Sequence, residues 1–220
     1  MNKPDLFSKV NSITRNAATR YLNEYSSKFK WNKSGGSAID LGCGDGSVTA
    51  TILKKHIPAS YEKFYALIIV NSNTFQNVYD LLKPGGECFH MFFGHLRMYD
   101  PYIILSRTPK WSDKLKLDGF ISPYHNMPDP EKKIKQLLKD IGFIDITNVI
   151  VNSFIFIELL RAVDPYKMPD GVFDDFFTDY FKVGQDIGVI DEENTIDGDR
   201  ELKYDFKLII VHACKPQERE

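Results

Sequence analysis

From Asn11 or Ser12 onward, apolar residues return at Ile13, Ala17, Tyr21 and Tyr25, the roughly 3.6-residue period of an amphipathic helix behind a short polar cap. Ser34-Gly35-Gly36-Ser37 ends that helix. Ala38 to Leu41 is a short apolar run that passes directly into Gly42, Gly44 and Gly46, after which Val48 to His56 resumes helical spacing. The reading is strand, glycine turn, helix. Pro58 breaks the helix, and Phe64 to Val70, "FYALIIV", is a continuous apolar run of the kind a parallel strand shows when both faces are covered. A helix over Thr74 to Leu82 follows. Pro84-Gly85-Gly86 then turns the chain into Glu87 to Phe93, "ECFHMFF", a further buried strand.

Pro128-Asp129-Pro130 introduces the helix "EKKIKQLLKDIGF", in which Ile134, Leu137, Leu138 and Ile141 share one face and Gly142 stands at the C-cap. "IDITNVIV" predicts a strand, "FDDFFTDYFKVG" an acidic amphipathic helix, "DEENTIDGDRE" a polar loop and "YDFKLIIVHA" the last strand. Strands alternating with helices, then two strands separated by a helical insert, predict an α/β fold whose mixed sheet has a partly antiparallel edge.

Composition narrows the partners. The 220 residues are 43% hydrophobic, enough for one domain with a sizeable core. Lys plus Arg (28) against Asp plus Glu (30) leaves a formal net charge of −2, so no basic field exists to hold nucleic acid. Cys43, Cys88 and Cys214 form no C-x-x-C pair, and His56, His90, His95 and His212 have no metal-ligand spacing. Neither a metal site nor a disulfide framework is expected. With no apolar run of ~18 residues and no signal-peptide core at the start, the expectation is a cytoplasmic protein without a membrane span.

A turn from a parallel strand into a helix aims backbone N–H groups at a ligand beyond the carboxyl end of the strand. The dinucleotide fingerprint G-x-G-x-x-G would need glycine where Ser47 stands, whereas D-x-G-x-G-x-G is complete from Asp40 to Gly46, which disfavours a nicotinamide dehydrogenase. This pattern, together with the K-P-G-G turn in "LLKPGGECFHMFF", resembles the class I S-adenosylmethionine-dependent methyltransferases. The segments "DLFSKVNSITRNA", "GCGDGSVT", "NVYDLLKPGG", "WSDKLKLDGFISPYHNMPDP" and "LLRAVDPYKMPDGVFDDFFTDY" resemble more closely the arthropod juvenile hormone acid methyltransferases. The resemblance implies a Rossmann-like α/β fold with a helical cap, and S-adenosyl-L-methionine as cofactor. It implies that Asp40, Gly42, Cys43, Gly44 and Gly46 bind that cofactor, Cys43 packing within the turn. It also implies methyl transfer to the carboxylate of a small apolar, sesquiterpenoid-like acid. No catalytic residue is assigned: a carboxylate with a pKa near ~4 is already ionised at neutral pH and needs no strong general base.

The same resemblance implies a second strand ending in a ribose-binding acid and a third framing the adenine. Only Ile57 to Lys63 fills that interval, too short for two β-α units of roughly 35–40 residues. The expected organisation is therefore one domain over 1–220, with a helical cap (1–34), a truncated core (36–95), and the C-terminal helices and last two strands (96–220). Glu62, about 20 residues past Gly42, has the spacing of a ribose carboxylate but reads more readily as a solvated loop residue. Thr14 and Ile68-Ile69 stand where the resemblance places an acceptor-positioning glutamine and a His-Trp pair. Trp111, Phe120, Tyr124, Phe173, Phe176, Phe177 and Phe181 fit plain core better than an acceptor pocket, and His125 reads as a solvated loop residue able to bond a carboxylate. The alternative to an enzyme is an inactive, truncated relative that acts by binding.

Overall fold

The computed structural model describes residues 12–31, 35–41, 46–67, 74–157, 166–190, 195–196 and 201–218. In chain order the elements are α1 (Ser12–Tyr25), β1 (Gly36–Leu41), α2 (47–56, π-helical over Thr49–Leu53), β2 (Tyr61–Leu67), α3 (Thr74–Leu81), β3 (Glu87–Leu96) and α4 (Tyr99–Leu105). Then follow α5 (Pro130–Ile141), β4 (Ile144–Ile157), α6 (Asp170–Asp186), β5 (Thr195–Ile196) and β6 (Glu201–Cys214).

The larger sheet is antiparallel, in the order β3-β6-β4, with β5 paired to the start of β6. The last strand is therefore interior to its sheet rather than an edge. Its period-2 alternation sorts the helices into two layers. Tyr204, Phe206, Leu208 and Ile210 face a cluster containing Tyr21 and Tyr25 of α1, Tyr99 and Tyr102 of α4, and Phe173, Phe176 and Tyr180 of α6. Ile209, Val211 and Ala213 face Phe75 and Val78 of α3 and Ile134 and Leu138 of α5. The buried Tyr180 hydroxyl donates to the Met98 carbonyl at 2.9 Å and lies 3.1 Å from the Tyr204 hydroxyl, so the two phenols pair within this aromatic layer.

Local signals place the element ends. Asp129 Oδ1 accepts from the Lys132 N–H at 3.0 Å with Pro130 in the first turn of α5, and Gly142, at φ +111°, donates to the Leu138 and Lys139 carbonyls. Within the K-P-G-G turn, the Gly85 N–H donates to the Lys215 and Pro216 carbonyls (3.1 Å each) and the Lys215 N–H to Gly86. That stitches the entry of β3 to the exit of β6. The Lys215 ammonium donates to the carbonyls of Tyr79 and Leu82 at 2.8 Å, a cation on the C-terminal end of α3.

β1 and β2 form a separate two-stranded parallel sheet. α2 ties this pair to the rest, because Ile52 packs with Ala18 and Leu22 of α1 against Phe89 and Met91 of β3. "FYALIIV" was expected to be covered on both faces. Instead the register partners Ile39 and Tyr65 are 40% and 51% exposed, and residues 68–70 lie outside the described ones. Each of these strands also has only the other as a hydrogen-bonded neighbour among the described residues. The polar loop 191–201 supplies the short β5, and α4 is a helix that periodicity did not show. Among the described residues no helix is long and apolar enough to cross a membrane.

Two outcomes follow from this packing. The half-buried His90 sets its ring edge-on to Phe75 at 5.2 Å, and burial pushes it down from 6.5 to about 4. The unfolded chain takes up that proton near 6.5 and the folded chain only near 4, so stability falls as pH drops through this window. Thermal melts at pH 7 and pH 5 should show a loss of up to about 2 kcal/mol that His90→Leu removes. An Ile39→Thr/Tyr65→Thr double variant should keep its melting temperature and self-associate less in light scattering, since it deletes an exposed apolar pair on an unprotected strand edge.

Candidate functional site

β1 brings Asp40 and Leu41 to its carboxyl end, from which the chain turns into α2. Thr49, buried in the first part of α2, donates its hydroxyl to Asp40 Oδ2 at 2.5 Å. That bond closes the turn from strand to helix and orients the carboxylate inward. Gly46 has φ +77°, a conformation that favours glycine, and a side-chain carbon built there would meet nothing within 4 Å. Its carbonyl accepts from the Ala50 N–H at 2.9 Å, so this residue both opens α2 and leaves backbone bare beside the turn. A π-helical turn begins at Thr49, a local widening of the sort found where helices serve binding sites. Asp40 and Gly46 are thus brought to one turn; Gly42, Cys43 and Gly44 lie outside the described residues.

Glu62 does not join them. It is the extra residue of a bulge in β2, between Tyr61, paired with Gly36, and Lys63, paired with Ser37, whereas Asp40 is level with Ala66. Four residues of strand put its backbone about 13 Å back toward the amino end, away from the carboxyl end where the turn lies. No described strand flanks β1 on its other side. The implied acceptor positions give little: Ile68 and Ile69 are outside the described residues, as is the side chain of Thr14.

The aromatic residues are core. Trp111, Phe173 and Phe176 are buried, with Phe120, Phe177 and Phe181 packed against their cluster and Tyr124 against the other face of the sheet. His125 is not solvated: its side chain is buried, Nε2 lies 2.9 Å from Asp100 Oδ1, and its ring stacks on His95 at 4.6 Å. The Leu96 N–H approaches Nδ1 at 3.4 Å, which assigns the proton of the neutral ring to Nε2. Burial, reinforced by His125, holds His95 below its usual value. The carboxylate that His125 was expected to bond is an internal one.

A second polar cluster escaped sequence reasoning. His212 Nε2 lies 2.7 Å from Glu87 Oε2, and ligand atoms of Glu87, His212 and Cys214 all lie within 4.8 Å of one another. Glu87 is 125 residues from His212, so no spacing rule could join them. The strand register does, because Glu87 pairs with Cys214, and His212 precedes Cys214 by two on the same face.

No family model matches the chain. The juvenile hormone acid O-methyltransferase of Bombyx mori is 31% identical over 273 aligned positions, covering 98% of each chain. That of Drosophila melanogaster is 25% identical over 281 positions, covering 99% of this chain and 94% of its own. The first alignment is 53 positions longer than the 220 residues present, so at least that many positions have no residue here, more than the 35–40 expected from two β-α units. A solved protein of Bacillus halodurans described as a methyltransferase shares the fold, with TM-score 0.51 and 11% identity over 88% of this chain and 98% of that one. With that α/β class I methyltransferase fold, and 31% identity along almost its entire length, the chain belongs to the juvenile hormone acid O-methyltransferase family.

Proposed function

We propose that the chain binds S-adenosyl-L-methionine at the turn that runs from Asp40 to Gly46 and transfers its methyl group to the carboxylate of a small apolar, sesquiterpenoid-like acid. The observation that carries this reading is the braced turn: Thr49 holding Asp40 at the carboxyl end of β1, with Gly46 left-handed and bare beside it. On this reading the site residues are Asp40, Gly42, Cys43, Gly44 and Gly46, with Asp40 organising the loop. When bound, S-adenosylmethionine supplies an electrophilic methyl group on its sulfonium sulfur. The protein's part is to align an already ionised carboxylate in line with that group and to exclude water from it.

A second reading, a non-catalytic binding protein, is favoured by the uncovered Ile39 and Tyr65 and by the position of Glu62 at the wrong end of β2. Calorimetric titration of the folded chain with S-adenosylmethionine and with its demethylated product separates the two. Binding in the micromolar range, weakened roughly tenfold (about 1.4 kcal/mol) by Asp40→Asn, is expected, followed by methyl ester formation with long-chain apolar acids. A folded chain that binds neither compound leaves the family membership and removes the enzyme.

A further inference from the structure

We propose that Glu87, His212 and Cys214 form a binding site for one zinc-like divalent cation, separate from the Asp40 to Gly46 turn, with which it shares no residue.

The argument begins with strand pairing. In the antiparallel ladder of β3 and β6, Glu87 stands opposite Cys214, so both side chains leave the same face; His212, two residues before Cys214, leaves that face as well. One carboxylate, one imidazole and one thiol therefore converge because of register alone. Their ligand atoms span no more than 4.8 Å, while zinc bonds of about 2.0–2.3 Å in tetrahedral directions set ligand atoms roughly 3.3–3.6 Å apart. The difference is within a side-chain adjustment. The donor set suits zinc in particular, since a soft thiolate with nitrogen and carboxylate oxygen disfavours magnesium and calcium.

The surroundings are those of a built site. Cys214 is 5% exposed and the His212 side chain likewise, and the Phe29 ring covers the imidazole edge-on at 5.3 Å. Glu87 Oε1 is already oriented by the Lys30 N–H at 2.6 Å, a backbone contact that fixes the carboxylate without occupying Oε2. Beside the cluster, Asp145 sits at φ +51° in the bulge of β4 between Ile144, which pairs with Cys214, and Thr147. Its carboxylate is held by the Lys30 ammonium at 2.6 Å in an exposed pair, and water would complete the coordination of the three protein ligands. Coordination takes Cys214 as thiolate and His212 as neutral imidazole: the thiol proton passes to solvent, the His212 Nε2 proton that bonds Glu87 is given up to solvent with Nδ1 left as the protonated nitrogen, and the freed Nε2 and Glu87 oxygen each bind the metal. The cation would then staple β3 to β6.

The test uses the full chain stripped of metal by dialysis against a chelator. Titration with zinc chloride in a calorimeter should show one saturable equivalent, and cobalt(II) should give a near-ultraviolet thiolate-to-cobalt charge-transfer band. Cys214→Ser should abolish the band and weaken zinc binding by roughly tenfold or more, and Glu87→Gln should weaken it comparably while the band persists. Cys43→Ser and Cys88→Ser should change neither. X-ray absorption of the zinc-loaded unmutated protein, which needs no variant to fold, should show one sulfur in the metal's first shell. An absence of saturable binding, a shell of nitrogen and oxygen alone, or a band that survives Cys214→Ser overturns the proposal.

Discussion

Tyr204, Phe206, Leu208 and Ile210 leave one side of β6, Ile209, Val211 and Ala213 leave the other, and both edges of the strand are hydrogen-bonded, to β3 and to β4. A strand buried on two faces and paired on two edges cannot slip by one residue without exchanging its two core sets. The positions of α1, α4 and α6 on one face and α3 and α5 on the other follow from that alternation. So does the convergence of Glu87, His212 and Cys214 at the end of the ladder. The Gly85 and Lys215 bonds at that end lock β3 to β6 and cap α3 with the same lysine.

The parallel pair β1–β2 lives under a different constraint. Two strands alone do not bury enough surface to stand in water, and this pair is held chiefly by α2, whose Ile52 reaches the α1 and β3 side chains. The residues that would read a cofactor therefore sit on a strand with one hydrogen-bonded neighbour among the described residues. Thr49 is the link between the two requirements. The hydroxyl that satisfies Asp40 belongs to a helix whose Ile52 anchors the pair, so the bond couples the end of β1 to that anchor.

Elements with local chemistry were legible in the sequence. The α5 boundaries were written in Asp129, Pro130 and Gly142, and the β6 faces in strict alternation from Tyr204 to Ala213. α4 was not legible, because Tyr99, Pro101, Tyr102 and Leu105 are all buried and a helix apolar on most of its surface has no amphipathic period to detect. Nor was the fate of "FYALIIV": its composition asks for cover on both faces, but cover depends on neighbours elsewhere in the chain. His125 looked like a loop histidine because its partners, Asp100 and His95, are 25 and 30 residues distant and meet it only after folding. At the candidate turn, the motif from Asp40 to Gly46 identified the residue types, and the Thr49 partner nine residues on was the part that periodicity could not supply.

Methyl transfer to a carboxylate asks the protein for alignment rather than proton transfer, and alignment is drawn from binding energy along the whole cofactor. Contacts to an adenosine moiety lie far from the sulfonium, yet energy from such remote contacts is what holds the reacting group in its narrow attack geometry. A turn that grips only the amino-acid end leaves the methyl group free to swing about that grip. The deficit should therefore fall on turnover as well as on affinity, because lost orientation is lost in the transition state. With Glu62 on the far end of β2 and no described strand beside β1, compensation has to come from groups that fold over the turn from outside the β1–β2 pair. On the proposed function, turnover would depend on what covers the free edge of β1.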